Sequence, residues 1–401
     1  MRVVYYSHPA FFEPALCLVR ELSRTCEVHL LLEISPTAWR TAAFDVGERR
    51  LPPGILPADE ILRDAFPSGV RDYWRSAASF HLVAHSSVRS LHPSSWRISR
   101  QALRFAVDIG ADVLHIDDVD VSPRLALALP AFRRVPIVLA VHDPEPHSGE
   151  RNWRKRLARR LAYPRAAKFV LYNAAFQAAF AARYRIAPSA IEVTRLGVYD
   201  VFAQWPSDTA AQPRTVLFFG RLSPYKGLDV FYDAARLVAE RVAGVTFVVA
   251  GRPVEGYTPP SPPALPRGGA LQLIDRYLSN SDAAALFRSA SVVVCPYRDA
   301  TQSGVVLSAF AFVVPVIASA VGGLPEYVIP ERTGLLVPPG DVPALAAAVE
   351  RIIRDPAFAM QLSRNIADAA SHEFHWRHTA EALLRTYGRV ARQDRATSRG
   401  A

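Results

Sequence analysis

Short apolar runs that end in loops alternate with segments of helical period along almost the whole chain, and this alternation constrains the fold more than any other feature. In the first half the runs are Val3 to Tyr6, Val28 to Leu32, Val113 to Ile116, Ile137 to Val141 and Phe169 to Tyr172. Strands apolar on both faces need helices above and below them, so the pattern predicts βα units and a mostly parallel sheet. The segment Gly197 to Pro213 follows neither period, carries Pro206, Ser207, Asp208 and Pro213, and is expected to be a linker. A second βα series follows, with strands expected at Val216 to Phe219, Val245 to Ala250, Leu271 to Ile274, Val292 to Cys295 and Val316 to Ala318. The fold class is therefore α/β, with two Rossmann-like domains and a ligand expected in a cleft between them, at the carboxyl ends of the strands. The Pro-rich stretch from Arg252 to Gly269 is expected to be a surface excursion.

Composition supports two domains. The chain has 401 residues, half of them apolar, which is enough to bury a sizeable core in each. Three widely spaced cysteines, Cys17, Cys26 and Cys295, form neither a disulfide framework nor a zinc-ligand pattern, and a reducing cytoplasm is expected. The first strand opens the sequence without the basic and long apolar segments of a signal peptide, so neither a signal peptide nor a transmembrane span is expected. Residues 151 to 200 hold eleven Lys and Arg against two Asp and Glu, nearly the whole of the net charge of +10. That excess lacks the interleaved aromatics or module of a nucleic-acid binder, so no nucleic-acid partner is expected. A dinucleotide-dependent oxidoreductase would need a Gly-x-Gly-x-x-Gly turn after an early strand, and none occurs.

After the expected strand at Val216 to Phe219 comes Gly220-Arg221-Leu222-Ser223-Pro224-Tyr225-Lys226-Gly227, and then a helical pattern. Two cations thus flank a helix start. Its free N–H groups and positive dipole end suit a diphosphate, while the same residues also suit an ordinary capped βα turn with solvated charges. Lys226 is one of only three lysines, Lys155, Lys168 and Lys226, in a chain that otherwise uses arginine.

Gly220-Arg221-Leu222 with Lys226-Gly227 resembles a signature of family-four, group 1 glycosyltransferases. Further stretches fall in that family's order: Leu286-Phe287 to Pro296-Tyr297, Gln302-Ser303-Gly304-Val305, Pro315 to Ala318 with Val321 to Glu326, and Gly334 to Asp341. The likeness is good over residues 214 to 392 and weak before them, where Val138 to Asp143 is the best stretch. The resemblance implies the GT-B architecture, with an acceptor-side domain over 1–196, a linker over 197–213 and a nucleotide-sugar domain over 214–371. It also implies that a terminal helix, 374–392, with His375-Trp376 near its start, crosses back to the first domain. The implied reaction moves a hexose, with retention, from a UDP- or GDP-sugar to a glycan or glycolipid acceptor, without metal or other cofactor. Arg221 and Lys226 would stabilise the leaving diphosphate, and His142 would contact the sugar or phosphate. Gly220, Gln302, Ser303, Gly304, Val305 and Ser308 would line the donor site, Ser303-Gly304 through backbone amides.

The sequence departs from the family in two places. Many members carry two glutamates seven residues apart; here Ser308 takes the second position and Ala300 to Gln302 the first. A catalytically silent binder of a nucleotide, glycan or partner is therefore the alternative to an enzyme. Ser7-His8-Pro9 replaces the usual Gly-rich loop after the first strand. Asp143, Glu145, His147 and Glu150 crowd near His142 but match no standard metal-ligand spacing, and Glu326 reads as a helix-start residue. Residues 150–163 read as an amphipathic helix, with Trp153, Leu157 and Leu161 on one stripe and Arg151, Lys155, Arg156 and Arg159 on other faces. That pattern suits an anionic membrane surface, and the expected location is cytoplasmic, peripheral at the inner face of the membrane.

Overall fold

A computed structural model describes residues 1–36, 40–41, 44–45, 51–144 and 153–399. The described residues divide into two compact units, one of 1–144, 153–197 and 376–399, the other of 198–375.

The first unit is built on β1 (Arg2–Ser7), β2 (Glu27–Ile34), a two-stranded hairpin of β3 (Arg40–Thr41) and β4 (Phe44–Asp45), then β5 (Gly54–Pro57), β6 (Ser79–Ala84), β7 (Val113–Asp117), β8 (Ile137–Val141), β9 (Ala166–Leu171) and β10 (Ile191–Val193). Eight of these form one sheet in the order β10-β9-β8-β7-β1-β2-β6-β5. Every pairing in it is parallel except β5 with β6. Strands β7 and β8 are buried at every residue, β8 as an unbroken apolar run and β7 with His115 and Asp117 among its apolar residues. The chain order reverses between β1 and β7, so the loops after these two strands leave the sheet in opposite directions.

The helix Trp376–Arg399 belongs to this unit although 178 residues of the second unit intervene. Trp376 packs so closely on Gly197 that a Cβ there would lie 2.6 Å from the indole, so only glycine fits. Farther along, the Tyr387 hydroxyl bonds His115 Nδ1 at 2.8 Å and Arg389 pairs with Glu192 at 2.6 Å.

The second unit holds β11 (Thr215–Phe219), β12 (Thr246–Ala250), β13 (Ala270–Ile274), β14 (Val292–Cys295), β15 (Val316–Ser319) and β16 (Gly334–Val337), all parallel, in the order β13-β12-β11-β14-β15-β16. This is the doubly wound Rossmann order, with its switch point between β11 and β14. One face of the sheet packs Phe218, Phe231 and Phe247 with the helices Leu228–Arg241 and Val342–Arg354.

The stretch expected to be a linker is a correction. Residues 198–213 belong to the second unit, where Val198, Val201, Phe202 and Trp205 are buried about a short turn at Asp200–Gln204. Their apolar side chains outweigh the Pro and Ser signals around them.

Candidate active site

At the switch point of the second unit, β11 runs into Gly220-Arg221 and β14 into Pro296-Tyr297. The two loops meet backbone to backbone. Gly227 follows the turn Pro224–Lys226 with φ 70, and a Cβ on it would fall 2.1 Å from the Pro296 carbonyl, so this left-handed position demands glycine. The Arg298 N–H then donates to the Tyr225 carbonyl at 2.7 Å. This clamp turns Lys226 inward. Its ammonium lies over the Tyr297 ring, 5.2 Å from the centroid, and would be 2.7 Å from a Cβ on Gly220. The same imagined Cβ would touch Val305 at 3.4 Å, so the glycine loop, Lys226 and the start of the helix Gly304–Ala311 converge.

Lys226 is 7% exposed, and burial, with the nearby Arg221 charge adding to it, lowers its amine to about 8. Arg221 is exposed. Neither cation has a carboxylate or carbonyl partner among the described residues. The Ser303 hydroxyl caps the helix by accepting the Val306 N–H at 3.4 Å, and Gly304 lies under the Tyr199 ring, where a Cβ would approach to 3.1 Å. Ser308 is buried in the second turn of that helix, and Gln302 is half-buried beside its cap. The structure thus gathers Gly220, Lys226 and Val305 in direct contact, with Ser303 and Gly304 adjoining. Two cations without an anionic partner among the described residues, and a helix N-terminus beside a glycine loop, are an arrangement chemically suited to an anion.

A second polar cluster occupies the switch point of the first unit. His142 follows β8 and is 5% exposed, its ring stacked on Phe11 at 3.8 Å and tilted against Tyr172 at 4.8 Å. Its Nε2 meets Asp117 Oδ1 at 2.6 Å, and Asp117 also accepts the Ser7 hydroxyl at 2.9 Å. Burial opposes the imidazolium, yet Asp117 outweighs it and holds His142 above its ordinary value. Asp118, at φ 68, accepts the backbone N–H of both Asp120 and His142, and burial together with the Asp120 charge pushes it up to about 7. Asp117 and Asp118 escaped the sequence reading, although Asp117 ends an apolar run at the carboxyl end of a strand, where ligand-facing groups collect.

Arg159 is not the surface cation expected of an interfacial helix. It is buried, grips Asp120 with two hydrogen bonds of 2.8 and 2.6 Å, and donates to Asp143 O, Pro144 O and Tyr184 Oη. The helix itself runs Trp153–Ala162; residues 150–152 of the expected segment lie outside the described residues. Trp153 is 58% exposed and, with Leu157, Leu161, Val88, Leu91 and Leu127, lines a groove of about 510 Å³. Glu145, His147 and Glu150 also lie outside the described residues, and among those described no cluster of His, Cys, Asp or Glu is placed to hold a metal ion. No described helix is long and apolar enough to cross a membrane.

Residues 15–200 match the family profile described as Glycosyltransferase Family 4, and residues 213–355 the profile described as Glycosyl transferases group 1. The chain belongs to the family 4, group 1 glycosyltransferases. It is 35% identical over 229 residues to the D-inositol 3-phosphate glycosyltransferase of Mycolicibacterium paratuberculosis, covering 53% of this chain and 50% of that protein. The counterpart from Kineococcus radiotolerans is 34% identical over 244 residues, covering 54% and 56%. The chain spans about half the length of the curated relatives it matches. Among solved structures, HepE of Anabaena in complex with UDP superposes with a TM-score of 0.63 at 18% identity, over 97% of this chain and 100% of that one. The catalytic domain of Arabidopsis starch synthase IV, bound to ADP and acarbose, gives 0.65 at 13% identity, over 98% and 99%. The fold is GT-B, two Rossmann-like domains with parallel sheets.

Proposed function

We propose that this chain is a retaining glycosyltransferase that moves a hexose from a UDP- or GDP-sugar to a glycan or glycolipid acceptor. The observation that carries the reading is the pair Arg221 and Lys226 at the switch point of the second unit, both without an anionic partner among the described residues. Cleaving a nucleotide-sugar bond leaves charge on the diphosphate, and preorganised cations with helix-start amides stabilise that charge as it develops. These two residues supply what a metal supplies elsewhere, so the reaction is proposed to run without one. Ser303 and Gly304 offer amides to the phosphates, and Gln302 and Ser308 neutral groups to the sugar or ribose. His142, held by Asp117, is proposed to contact the transferred sugar. HepE, solved with UDP and UDP-glucose, supports a nucleotide-sugar donor by analogy of fold.

The neutral Gln302 and Ser308, where many relatives carry glutamates, favour one competing reading, a silent nucleotide binder. Incubation with a panel of nucleotide sugars and chromatography of the released nucleotide tests the choice. An enzyme releases UDP or GDP, whereas a silent binder shifts its melting temperature without release. The exposed Trp153 and Leu157, close to Arg154 and Arg156, support docking of this face on an anionic inner-membrane surface. Retention on anionic but not neutral vesicles at low salt is the expected result; equal retention on both contradicts it.

A further inference from the structure

The edge of the first sheet opposite His142, at the amino ends of β7 and β8, carries a cavity of about 400 Å³ between the helix Pro93–Asp108 and the loop that leads into Ile137. Arg100, Arg104 and Asp108 stand four residues apart along the helix and so share one of its faces. Arg133 and Arg134 line the other wall from the loop. The floor is apolar: Leu103, Ala128 and Phe132 line it and are buried. Strand β8 alone spans about 16 Å, so this cavity is separate from the cluster around His142 at its carboxyl end.

Several exposed arginines elsewhere meet carboxylates, as Arg63 meets Asp59, Arg241 meets Glu350 and Arg276 meets Asp282. Among the described residues, Arg100, Arg133 and Arg134 have no carboxylate partner. The Arg100 guanidinium lies over the Trp96 ring, 4.6 Å from its centroid. Arg133 Nη1 donates to the carbonyls of Pro130 and Phe132 at 2.7 and 3.1 Å, and Arg165 donates twice to the same Phe132 oxygen, at 3.2 and 2.6 Å. Two cations thus crowd one carbonyl, and burial together with the Arg133 charge lowers the Arg165 guanidinium. The one carboxylate among the described lining residues is Asp108, 3.5 Å from Arg104 Nε.

A guanidinium holds its proton at any working pH, so this excess of positive charge is relieved only by bound anions. Cationic walls above an apolar floor focus the field into the cavity, and the planar forks match the oxygens of phosphate. Asp108 repels an anion of single charge, so the ligand that gains most carries several. Its charges must also be spread out, because the arginines stand on two elements. A chain of phosphates has both properties. We propose that this cavity binds a polyphosphate chain, free or carried by a nucleoside, with Arg100 and Arg104 on one side of it and Arg133 and Arg134 on the other. None of these residues enters the proposed transfer reaction, so the site is independent of that reading.

The test is calorimetric titration of inorganic triphosphate into the full chain, an Arg100→Ala/Arg134→Ala variant, and an Arg97→Ala/Arg385→Ala variant of the same net charge. All four arginines are exposed, so both variants keep the fold, and Arg97 and Arg385 lie outside the cavity. The wild type and the Arg97→Ala/Arg385→Ala variant are expected to bind alike. The cavity variant should bind about tenfold or more weakly, since loss of one charged hydrogen bond already corresponds to that factor. No binding by the wild type overturns the site, and so does equal weakening in the two variants, which would show attraction to net charge alone. Arg221→Ala guards against capture at Gly220 to Lys226: if it abolishes triphosphate binding while the cavity variant keeps it, the site is also overturned. ATP in place of triphosphate distinguishes the sources. Tighter binding assigns a nucleoside-borne chain and equal or weaker binding a free one, and either must be lost in the cavity variant.

Discussion

Replacing Lys226 by methionine should make the protein more stable and much less active. The side chain is 7% exposed, and burial lowers its amine from the ordinary 10.5 to about 8. At about 1.4 kcal/mol per pKa unit this is a penalty of about 3 kcal/mol on the folded state near pH 7. The Tyr297 ring beneath the ammonium returns about 1 kcal/mol as a cation–π contact. Methionine keeps the unbranched stem and drops the charge, so a gain of about 1–2 kcal/mol is expected, read as a higher urea midpoint with an unchanged slope. The sign has a pH signature. Between about 8 and 10.5 the folded amine is already neutral while the unfolded one still holds its proton, so wild-type stability rises through that window and the methionine variant's does not. Turnover should fall a hundredfold to a thousandfold, the usual loss on removing one preorganised partner of a developing oxyanion. A variant that is less stable and retains full turnover would show that Lys226 is a structural turn residue.

Three further outcomes are expected. Affinity for UDP or GDP, measured by titration calorimetry, should be flat below pH 8 and fall about tenfold per pH unit above it, because the free amine loses its proton near 8 and the diphosphate must restore it; a flat profile to pH 10 contradicts this. Gly227→Ala should destabilise by more than about 2 kcal/mol, since the left-handed backbone alone costs about 1–2 kcal/mol and the new Cβ meets the Pro296 carbonyl, whereas Gly256→Ala, with nothing within 4 Å of its Cβ, should pay the backbone cost alone; comparable denaturation midpoints would refute the close approach. Arg159→Ala should cost about 3–5 kcal/mol by stranding the buried Asp120, while the exposed Arg156→Ala changes stability by less than about 0.5 kcal/mol; parallel urea curves for the two variants decide.

The parts of this protein that were legible in its sequence are those written into contiguous residues. Runs such as Ile137 to Val141 could only be strands buried on both faces, and the order of such runs implied parallel sheets. The segment Gly220 to Gly227 stood out because two glycines and a lysine share one turn, although the contacts that require Gly227 and turn Lys226 inward come from Pro296 and Tyr297, out of reach of local reading. Ser79–Ala84 escaped because Ser79 and His81 interrupt its apolar character, and Ile191–Val193 because three residues carry no period. Prolines around Gly197 to Pro213 hid the buried Phe202 and Trp205. Pairs made by sheet register were out of reach: Asp117 with His142, Glu33 with His85, and Asp120 with Arg159 each join different elements. Helical projection placed Arg159 among solvated charges because the carboxylate that draws it inward lies after another strand.

The most direct test of the central claim is calorimetric titration of UDP and GDP into the wild-type chain and its Arg221→Ala variant. Arg221 is exposed, so the substitution leaves the fold intact and removes one unpaired cation from the proposed diphosphate site. The wild type should bind one of the two nucleotides, and the variant should bind it about tenfold to a hundredfold more weakly, as expected for a charged hydrogen bond worth about 1.5–3 kcal/mol. Binding of neither nucleotide, or equal binding by both proteins, would contradict the assignment of this switch point as a nucleotide-sugar site.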